Sequence, residues 1–571
     1  MSSNNQFFWR KAVQLGLIGG LVGILIALVG MVEAFNRRDI VTGVLTMGWT
    51  LLFLTILVTA YFSAAHSSAG GIVSNVLAGS IAGIIFSVMM SLLVLAIENF
   101  NLRPIFVNAS PTLVEILTFD RETGSGLGLL LVFGAVVGAA GGLIYTLPGR
   151  IRGAVVLGLS VVAFLGLMQE LIEVPLRSAP ALNTALTWMF GRGTESGLSV
   201  LGAIVVFLIV TVGNLLWQGN SSQVQARFTK LSGKNQRSIR WLLYGLLILL
   251  VLYLPAILGL YLTEVINVTG LMILMGLGLN IVVGFAGLLD LGYVAFYAIG
   301  AYTVAVLTNL SGELTWAVGM NFWLALPVAI ALATFAGILL GIPVLNMRGD
   351  YLAIVTLGFG EIIRILALSD FLKPTIGGSQ GIVNIPPPRV VDTLINSPTT
   401  LYYVIVAGCL LALFIGQRLR DSRLGRSWKA MREDEDVAQA MGINLVATKL
   451  LAFATGAAFS GLSGSILAIK LGTIYPHSFA LLISINVLAL IIIGGMGSIP
   501  GVFIGALLLV GLPELLREFA EYRLLIYGAL LVVMMQVRPE GFWPEATHKR
   551  ELHEKTPDVV QTDLPGVQAE A

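Results

Sequence analysis

Few residues in this sequence have types and spacings that suit catalysis. The four histidines are scattered and form no metal-ligand spacing. They are His66, His477, His548 and His553. A P-loop would need serine or threonine after Gly233 and Lys234, but Asn235 follows, and Phe228 stands in place of the first glycine. The sequence therefore predicts no catalytic residue, no metal site and no P-loop for ATP in this chain.

The most charged stretch, residues 418–449, is a candidate docking surface. It is rich in arginine and lysine, and short loops of this kind stay in the cytoplasm. Gly442 suits a helix end, because glycine accepts the left-handed conformation found there. A helix over this stretch places one apolar set on a single face: Leu424, Trp428, Met431, Ala438 and Met441. This pattern predicts an amphipathic cytoplasmic helix on which a soluble motor protein acts, although a solvated charged loop with no partner explains it equally well.

A second informative stretch, residues 280–300, contains glycines that interrupt two apolar segments, with Asp290 between them. Broken helices in transporters expose backbone groups to the substrate. The alternative is a tight cytoplasmic hairpin in which small residues pack helix against helix. On either interpretation we expect Asp290 to lie at the membrane interface.

Glu361 and Arg364 are three residues apart in another apolar segment and can share a helix face. We favour an ion pair that stabilises the fold, with a polar lining to a pathway as the alternative. The candidate pathway residues of both stretches are Asn280, Gly284, Gly287, Tyr293, Phe296, Thr356, Gly358 and Glu361.

The elements that must position these residues are membrane helices. Of the 571 residues, 57% are hydrophobic and 11% are charged, whereas soluble domains carry about 25% charge. A span needs about 20 apolar residues. The fold class predicted is therefore an all-α polytopic membrane protein of about sixteen spans. Their approximate ranges are 12–32, 41–63, 72–97, 126–147, 152–169, 198–217, 241–262, 264–284, 288–308, 322–345, 351–368, 400–417, 450–470, 480–498, 501–518 and 522–536.

Four regions follow from this pattern. Residues 1–217 form an N-terminal membrane region of unknown role with about six spans, and residues 218–240 form a linker with five basic residues and no acidic residue. Residues 241–542 hold about ten spans, and residues 543–571 form a polar tail. The positive-inside rule places both termini, the linker and the tail in the cytoplasm.

With these motifs, the chain resembles the permease subunits of the branched-chain amino acid ABC importer family over about residues 241–542. The stretches that carry the resemblance are GLNIVVGFAGLLDLGYVAFYAIGAY (278–302), MRGDYLAIVTLGFGEIIRI (347–365), SRLGRSWKAMREDEDVAQAMGIN (422–444), IIIGGMGSIPGVFIGA (491–506) and VRPEGF (537–542). One departure is that Ser484 is followed by Ile485 and Asn486, where the family often has an acidic residue. The family pattern does not cover the region before residue 220.

The resemblance implies a non-catalytic membrane subunit with several partners. These are a second related permease, two cytoplasmic ATPases that use ATP and Mg, and an extracytoplasmic substrate-binding protein. No cofactor and no nucleic acid is expected on this chain. The resemblance also implies that residues 426–442 dock on the ATPase. The residues expected to couple the chain to the ATPase are Arg426, Met431, Arg432, Glu435, Ala438, Ala440, Met441 and Gly442.

The function predicted is the translocation subunit of an ATP-driven importer of branched-chain amino acids in the bacterial cytoplasmic membrane. Urea, short amides and other amino acids remain alternative substrates. A secondary transporter driven by an ion gradient would transport alone and would need an ionisable residue near mid-membrane, for which Glu361 is the candidate. A membrane enzyme would need a set of catalytic side chains that the sequence does not offer.

Overall fold

The computed structural model is helical almost throughout. It describes residues 2–36, 38–66, 71–169, 188–190, 197–230, 233–310, 314–345, 347, 349–390, 393–515, 522–538 and 540–544. The chain divides into two compact units, Met1–Val251 and Leu252–Ala571. The side chains of residues 219–240 in the predicted linker lie outside the described part, as does the tail from residue 545. The four predicted regions therefore stay a prediction.

The described residues of the first unit form six membrane-length helices and two short ones. Its helices are α1 Ser2–Leu28, α2 Met31–Phe35, α3 Met47–Ala65, α4 Ile72–Asn99, α5 Pro111–Leu117, α6 Thr123–Thr146, α7 Gly149–Leu167 and α8 Val200–Lys230. Strands β1 Asp39–Val41 and β2 Leu45–Thr46 pair antiparallel. Helix α5 lies between the predicted spans 72–97 and 126–147.

Glycines bring the backbones of α4 and α6 into direct contact. A Cβ built at Gly83 would lie 3.1 Å from the Cα of Gly138, and a Cβ built at Gly79 would lie 3.1 Å from the Cα of Gly142. The lower-numbered glycine of α4 meets the higher-numbered one of α6, so the two helices run antiparallel. In lipid, where no hydrophobic force draws helices together, such small residues allow the close packing that stabilises a helix pair.

The second unit contains the chemistry-bearing stretches. Its helices are α9 Gly233–Leu279, which begins before the unit boundary, α10 Val294–Thr308, α11 Phe322–Val344, α12 Asp350–Leu368, α13 Lys373–Ile376, α14 Pro398–Asp421, α15 Arg423–Glu433, α16 Glu435–Ala440, α17 Leu445–Leu471, α18 Leu481–Gly494, α19 Ile499–Ala506, α20 Leu512–Leu515 and α21 Arg523–Val537. Strands β3 Arg389–Val390 and β4 Thr393–Leu394 form a hairpin. Five short helical pieces complete it: π-helices Asn280–Phe285 and Leu507–Gly511, and 3-10 helices Asp370–Leu372, Gly378–Gln380 and Pro476–Phe479.

Twelve helices of the described residues are long and apolar enough to cross a membrane, and Val294–Thr308 and Ile499–Glu514 are shorter apolar helices. This confirms the polytopic helical class. The spans predicted over 241–262 and 264–284 correspond to a single apolar helical stretch, Ile248–Phe285. It is broken at Gly259, whose φ of 72° lies outside the helical region, four residues after Pro255 removes a backbone donor. The number sixteen stays a prediction.

Helix α17 forms the centre of the second unit. It packs along α10 and α11, and most of its residues are buried. Small residues bring these helices together: a Cβ built at Gly300 would lie 2.6 Å from the Cα of Gly461, and one built at Gly337 would lie 2.6 Å from the Cβ of Ala457. These close contacts fix the positions of α10 and α11 along α17.

The glycine-rich loop after α18 is a tight turn, as its composition predicts. Gly495 and Gly497 have positive φ angles of 112° and 81°. The amides of Phe542 and Trp543 donate to the carbonyls of Ile493 and Gly494 at 2.9 and 3.0 Å. These carbonyls belong to the last turn of α18, where no later helical amide is available to them.

Candidate functional site

The charged stretch forms two helices rather than the one expected. Helix α15 begins after Ser422, whose Oγ accepts from the amide of Gly425 at 3.2 Å. Asp434 then interrupts the helix with extended backbone angles of φ −156° and ψ 116°. Its carboxylate accepts from the amides of Asp436 and Val437 at 2.8 and 3.0 Å, which caps the start of α16. The single-helix prediction is wrong because Asp434 is better satisfied as a cap than inside a helix.

Gly442 ends α16 in the predicted way. Its φ of +87° lies in the left-handed region. The amide of Gly442 donates to the carbonyl of Gln439 at 3.0 Å, and the amide of Ile443 donates to the carbonyl of Ala438 at 3.1 Å. This pair of bonds is the Schellman arrangement, which satisfies the last carbonyls of a helix.

Three members of the predicted apolar face are buried, and two are not. Trp428, Met431 and Ala438 are at most 3% exposed. The indole Nε1 of Trp428 donates to the carbonyl of Thr448 on α17 at 2.9 Å. Leu424 is half-buried. Met441 is 80% exposed, so its predicted place on the same face as Trp428 and Met431 is wrong. The break at Asp434 shifts the register of α16 and turns Met441 outward.

A buried ion pair fastens α16 to α17. The Nζ of Lys449 lies 2.9 Å from Oε1 of Glu435 and donates to the carbonyl of Leu345 at 3.2 Å. The two side chains are 4% and 19% exposed, respectively. Sequence reasoning counted Lys449 only as a basic loop residue. No periodicity links it to Glu435, because the two residues belong to different helices.

Arg432 connects α15 to the broken membrane segment. Its guanidinium donates to the carbonyl of Gly284, in the π-helix Asn280–Phe285. A Cβ built at Gly287 would lie 2.9 Å from Cγ of Arg432. The ammonium group of Lys429 lies 6.0 Å from the ring centroid of Phe285. Arg432 therefore faces the membrane segment of its own chain, and three contacts join the charged helix to that segment.

The other predicted coupling residues lie on the outer side of the two helices. Arg426 is exposed and donates to the carbonyl of Asp421 at 3.1 Å. Ala440, Met441 and Gly442 are exposed as well. The eight predicted coupling residues thus separate into an inward set, consisting of Met431, Arg432, Glu435 and Ala438, and an outward set, consisting of Arg426, Ala440, Met441 and Gly442.

The predicted pathway stretch begins with an irregular helix end. Asn280 is buried, and its Oδ1 accepts from the amide of Gly497 at 2.9 Å. A Cβ built at Gly284 would lie 2.7 Å from that same amide nitrogen. Gly287 has a φ of +71° and turns the chain away from the π-helix. Asn280, Gly284 and Gly287 are therefore brought together with Arg432.

Residues 286–293 connect this π-helix to α10 without forming a regular helix. Asp290 is completely buried, and its Oδ1 accepts from the amide of Gly292 at 2.9 Å. The amide of Leu291 donates to Oγ1 of Thr356 at 3.0 Å. Gly292 packs against the backbone of α12 at Thr356 and Gly360. Helix α12 covers this segment, and the interfacial position expected for Asp290 stays a prediction.

Aromatic side chains follow at the start of α10. Tyr293 and Phe296 are fully buried. The hydroxyl of Tyr293 donates to the carbonyl of Gly456 at 2.7 Å. The ring of Phe296 lies 5.9 Å from that of Phe359. The amide of Val294 donates to Oγ of Ser484 at 2.9 Å, so Ser484 caps the first turn of this helix.

Gly358 and Glu361 stand apart from this buried group. Both are half-buried on α12, and a Cβ at Gly358 would meet no atom within 4 Å. Glu361 pairs with Arg364 at 2.8 Å, and each side chain is about one-third exposed. The shared helix face that the spacing predicts is confirmed. Over the described residues, no group of three or more His, Cys, Asp or Glu side chains could hold a metal ion.

The architecture and these motifs agree with a known family. The family model described as "Branched-chain amino acid transport system / permease component" matches residues 261–535. The "High-affinity branched-chain amino acid transport system permease protein LivM" of Escherichia coli strain K12 is 38% identical over 406 residues, covering 67% of this chain and 91% of that protein. The chain belongs to this permease family. No solved structure matches it.

Further relatives carry the names of both kinds of permease. The LivM protein of Salmonella typhimurium strain LT2 is 43% identical over 282 residues, covering 45% of this chain and 64% of that protein. The LivH protein of the same strain is 27% identical over 268 residues, covering 45% of this chain and 85% of that protein. An alignment with 67% of the chain is longer than residues 241–571, so the similarity to the Escherichia coli permease extends into the N-terminal region.

Proposed function

We propose that this permease is the translocation subunit of an ATP-driven importer of branched-chain amino acids. The observation that carries the proposal is the contact of Arg432 with the carbonyl of Gly284. It joins a charged helix pair outside the spans to the broken segment that leads to the middle of the second unit. To transmit a conformational change, a permease needs a surface on which the ATPase acts and a membrane segment that responds. This contact joins two such parts.

The two faces of the helix pair have different roles, one in docking the ATPase and one in contacting the membrane helices. The outward set offers a cationic residue, Arg426, and an apolar one, Met441, which is 80% exposed. Val437 of α16 is 59% exposed as well. Such a mixed surface suits a groove on a soluble ATPase. The inward set, held by the Glu435–Lys449 ion pair, moves with α17. We infer that ATP binding by the partner displaces the outward face and that Arg432 passes the displacement to the π-helix.

The proposed importer has several partner proteins. Two cytoplasmic ATPases bind ATP and Mg, a second related permease completes the pathway, and a substrate-binding protein delivers the amino acid from outside. The spans lie in the bilayer of the bacterial cytoplasmic membrane, with α15, α16 and both termini in the cytoplasm. Urea, short amides and other amino acids remain alternative substrates, to be separated by the uptake assay.

A pair of variants tests the two faces. Arg432→Gln removes the charge that holds the Gly284 carbonyl, and Arg426→Gln removes an outward charge of the same type. We expect Arg432→Gln to retain the ATPase in a pull-down and to hydrolyse ATP, but to lose at least about ten-fold in amino acid uptake. We expect Arg426→Gln to weaken retention of the ATPase instead.

The readouts are the ATPase recovered with the tagged permease and uptake by proteoliposomes containing ATP. Full uptake by Arg432→Gln would contradict the proposed link. A tagged permease that purifies without any ATPase and accumulates the amino acid from an ion gradient alone would instead support the secondary transporter.

A further inference from the structure

Helix α10 is shorter than a membrane span. A helix of 15 residues is about 22 Å long, shorter than the hydrocarbon core of about 30 Å. Its first residues are level with the middle of α17, because Tyr293 bonds to the carbonyl of Gly456 and Ser460 donates to the carbonyl of Tyr293 at 3.2 Å. These partners lie near the centre of the 27-residue helix Leu445–Leu471. The segment before α10 therefore ends beside the middle of this membrane helix.

Asp290 is the polar group of this segment that remains incompletely bonded. The residue is 0% exposed. One carboxylate oxygen accepts from the amide of Gly292, and the side chain of Thr356 interacts with the carboxylate. The other oxygen, Oδ2, has no partner within hydrogen-bonding distance. An ionised carboxylate buried without a partner is costly, so it is kept only where something repays the cost. Ionisable residues buried among membrane helices mark substrate and ion pathways.

Contacts of the neighbouring backbone hold Asp290 in its buried position. The amide of Leu291 is fixed to Oγ1 of Thr356, and the amide of Val294 is fixed to Oγ of Ser484. Gly292 packs against the α12 backbone with no room for a side chain. Three elements therefore hold the carboxylate in a set position, which is how a binding group is pre-organised.

We propose that the Asp290 carboxylate binds the α-ammonium group of the transported amino acid when the pathway opens. The proposal rests on the proposed function, and it names the group that recognises the substrate. A branched-chain amino acid carries one positive charge, and a carboxylate with an unused oxygen is the acceptor that such a charge requires. The aromatic side chains of Tyr293 and Phe296 come directly after it, and they suit the aliphatic part of the same molecule.

The test uses the complete transporter in proteoliposomes that contain ATP, with the substrate-binding protein at saturating concentration. Asp290→Asn keeps an oxygen to accept from Gly292 but removes the charge, and Asp290→Glu keeps the charge. Asp350→Asn is the matched control, because Asp350 is an exposed carboxylate at the start of α12. We expect Asp290→Asn to reduce leucine uptake about 10- to 100-fold, Asp290→Glu to retain more uptake than Asp290→Asn, and the control to match the wild type.

A second measurement needs no variant. A hydrophobic carbodiimide labels buried carboxyl groups, and mass spectrometry of the wild-type transporter gives the labelled fraction at Asp290. We expect leucine to reduce this fraction, whereas 4-methylpentanoate, which lacks the ammonium group, leaves it unchanged. Labelling that is equal with and without leucine would overturn the proposal.

The outcomes separate this proposal from the function on which it rests. Wild-type vesicles that take up no amino acid would refute the proposed function. Wild-type uptake with equal uptake by Asp290→Asn would refute the ammonium site alone. Equal losses of uptake and of melting temperature in Asp290→Asn and Asp290→Glu would assign Asp290 a purely structural role and overturn the site.

Discussion

Gly292 is the position where adding one methyl group should disturb the second unit most. A Cβ built there would lie 2.6 Å from the carbonyl carbon of Thr356 and nearer still to its oxygen, whereas ordinary van der Waals contact begins at 3.4 Å. The atoms that it would meet belong to the backbone of α12, which cannot rotate away as a flexible side chain can. We therefore predict that Gly292→Ala forces the two backbones apart by about 1 Å.

Two energetic costs follow from that separation. Overpacking of a well-packed core costs about 1–3 kcal/mol. A shift of about 1 Å also stretches the bond between the Leu291 amide and Oγ1 of Thr356, now 3.0 Å, beyond bonding range, and an unpaired buried amide costs about 1–3 kcal/mol. Because neighbouring effects do not add fully, we expect a loss of about 2–5 kcal/mol in the free energy of unfolding. For a unit of this size, the melting temperature should fall by about 3–7 °C.

The assay is thermal unfolding of the purified protein, followed by fluorescence. The matched control is Gly416→Ala in α14, where a Cβ would meet no atom within 4 Å. Replacing glycine by alanine within a helix gains up to about 1 kcal/mol, so the control should melt at the wild-type temperature or slightly above it. Equal melting temperatures for the two variants would show that α12 and the segment before α10 are not in backbone contact.

Three further changes probe the charged helix pair, and thermal unfolding of the purified protein checks each of them. Glu435→Ala leaves the buried ammonium of Lys449 without its carboxylate and should cost about 3–5 kcal/mol, most of which Lys449→Met should restore in the double variant. Trp428→Phe removes only the indole bond to Thr448 and should cost about 1–2 kcal/mol. Gly442→Ala meets no atom within 4 Å but must adopt a φ of +87°, so it should cost about 1–2 kcal/mol, and Gly442→Asn should cost less because asparagine tolerates this region. No rescue by Lys449→Met, or equal melting of the alanine and asparagine variants, would contradict these assignments.

Features that depend on residues close together in the sequence were predicted correctly. The spacing of Glu361 and Arg364 was enough to place both on one helix face. The glycine at position 442 was enough to end a helix, because few other residues accept its backbone conformation. The polytopic helical class followed from composition alone. These features depend on residues within one or two turns of each other, and sequence shows such neighbours directly.

Features set by distant contacts were missed or misread. Asp290 lies in a sequence that resembles a surface turn, yet it is buried. Its neighbour Leu291 donates to Thr356 of α12, 65 residues away along the chain. The cap on α10 comes from Ser484, 190 residues away. Asp434 could continue a helix or cap the next one, and its charged neighbours favour neither. The number of spans also depends on tertiary packing, because a broken helix and a short one give similar apolar stretches.

The pairing of Phe542 and Trp543 with the end of α18 has a practical consequence for labelling this protein. Their amides supply partners for the carbonyls of Ile493 and Gly494, next to the loop whose Gly497 amide holds Asn280. A truncation or a fluorescent fusion placed before residue 541 would remove these partners and loosen the loop beside the predicted pathway. An affinity tag should therefore follow residue 544, where it leaves these two hydrogen bonds intact.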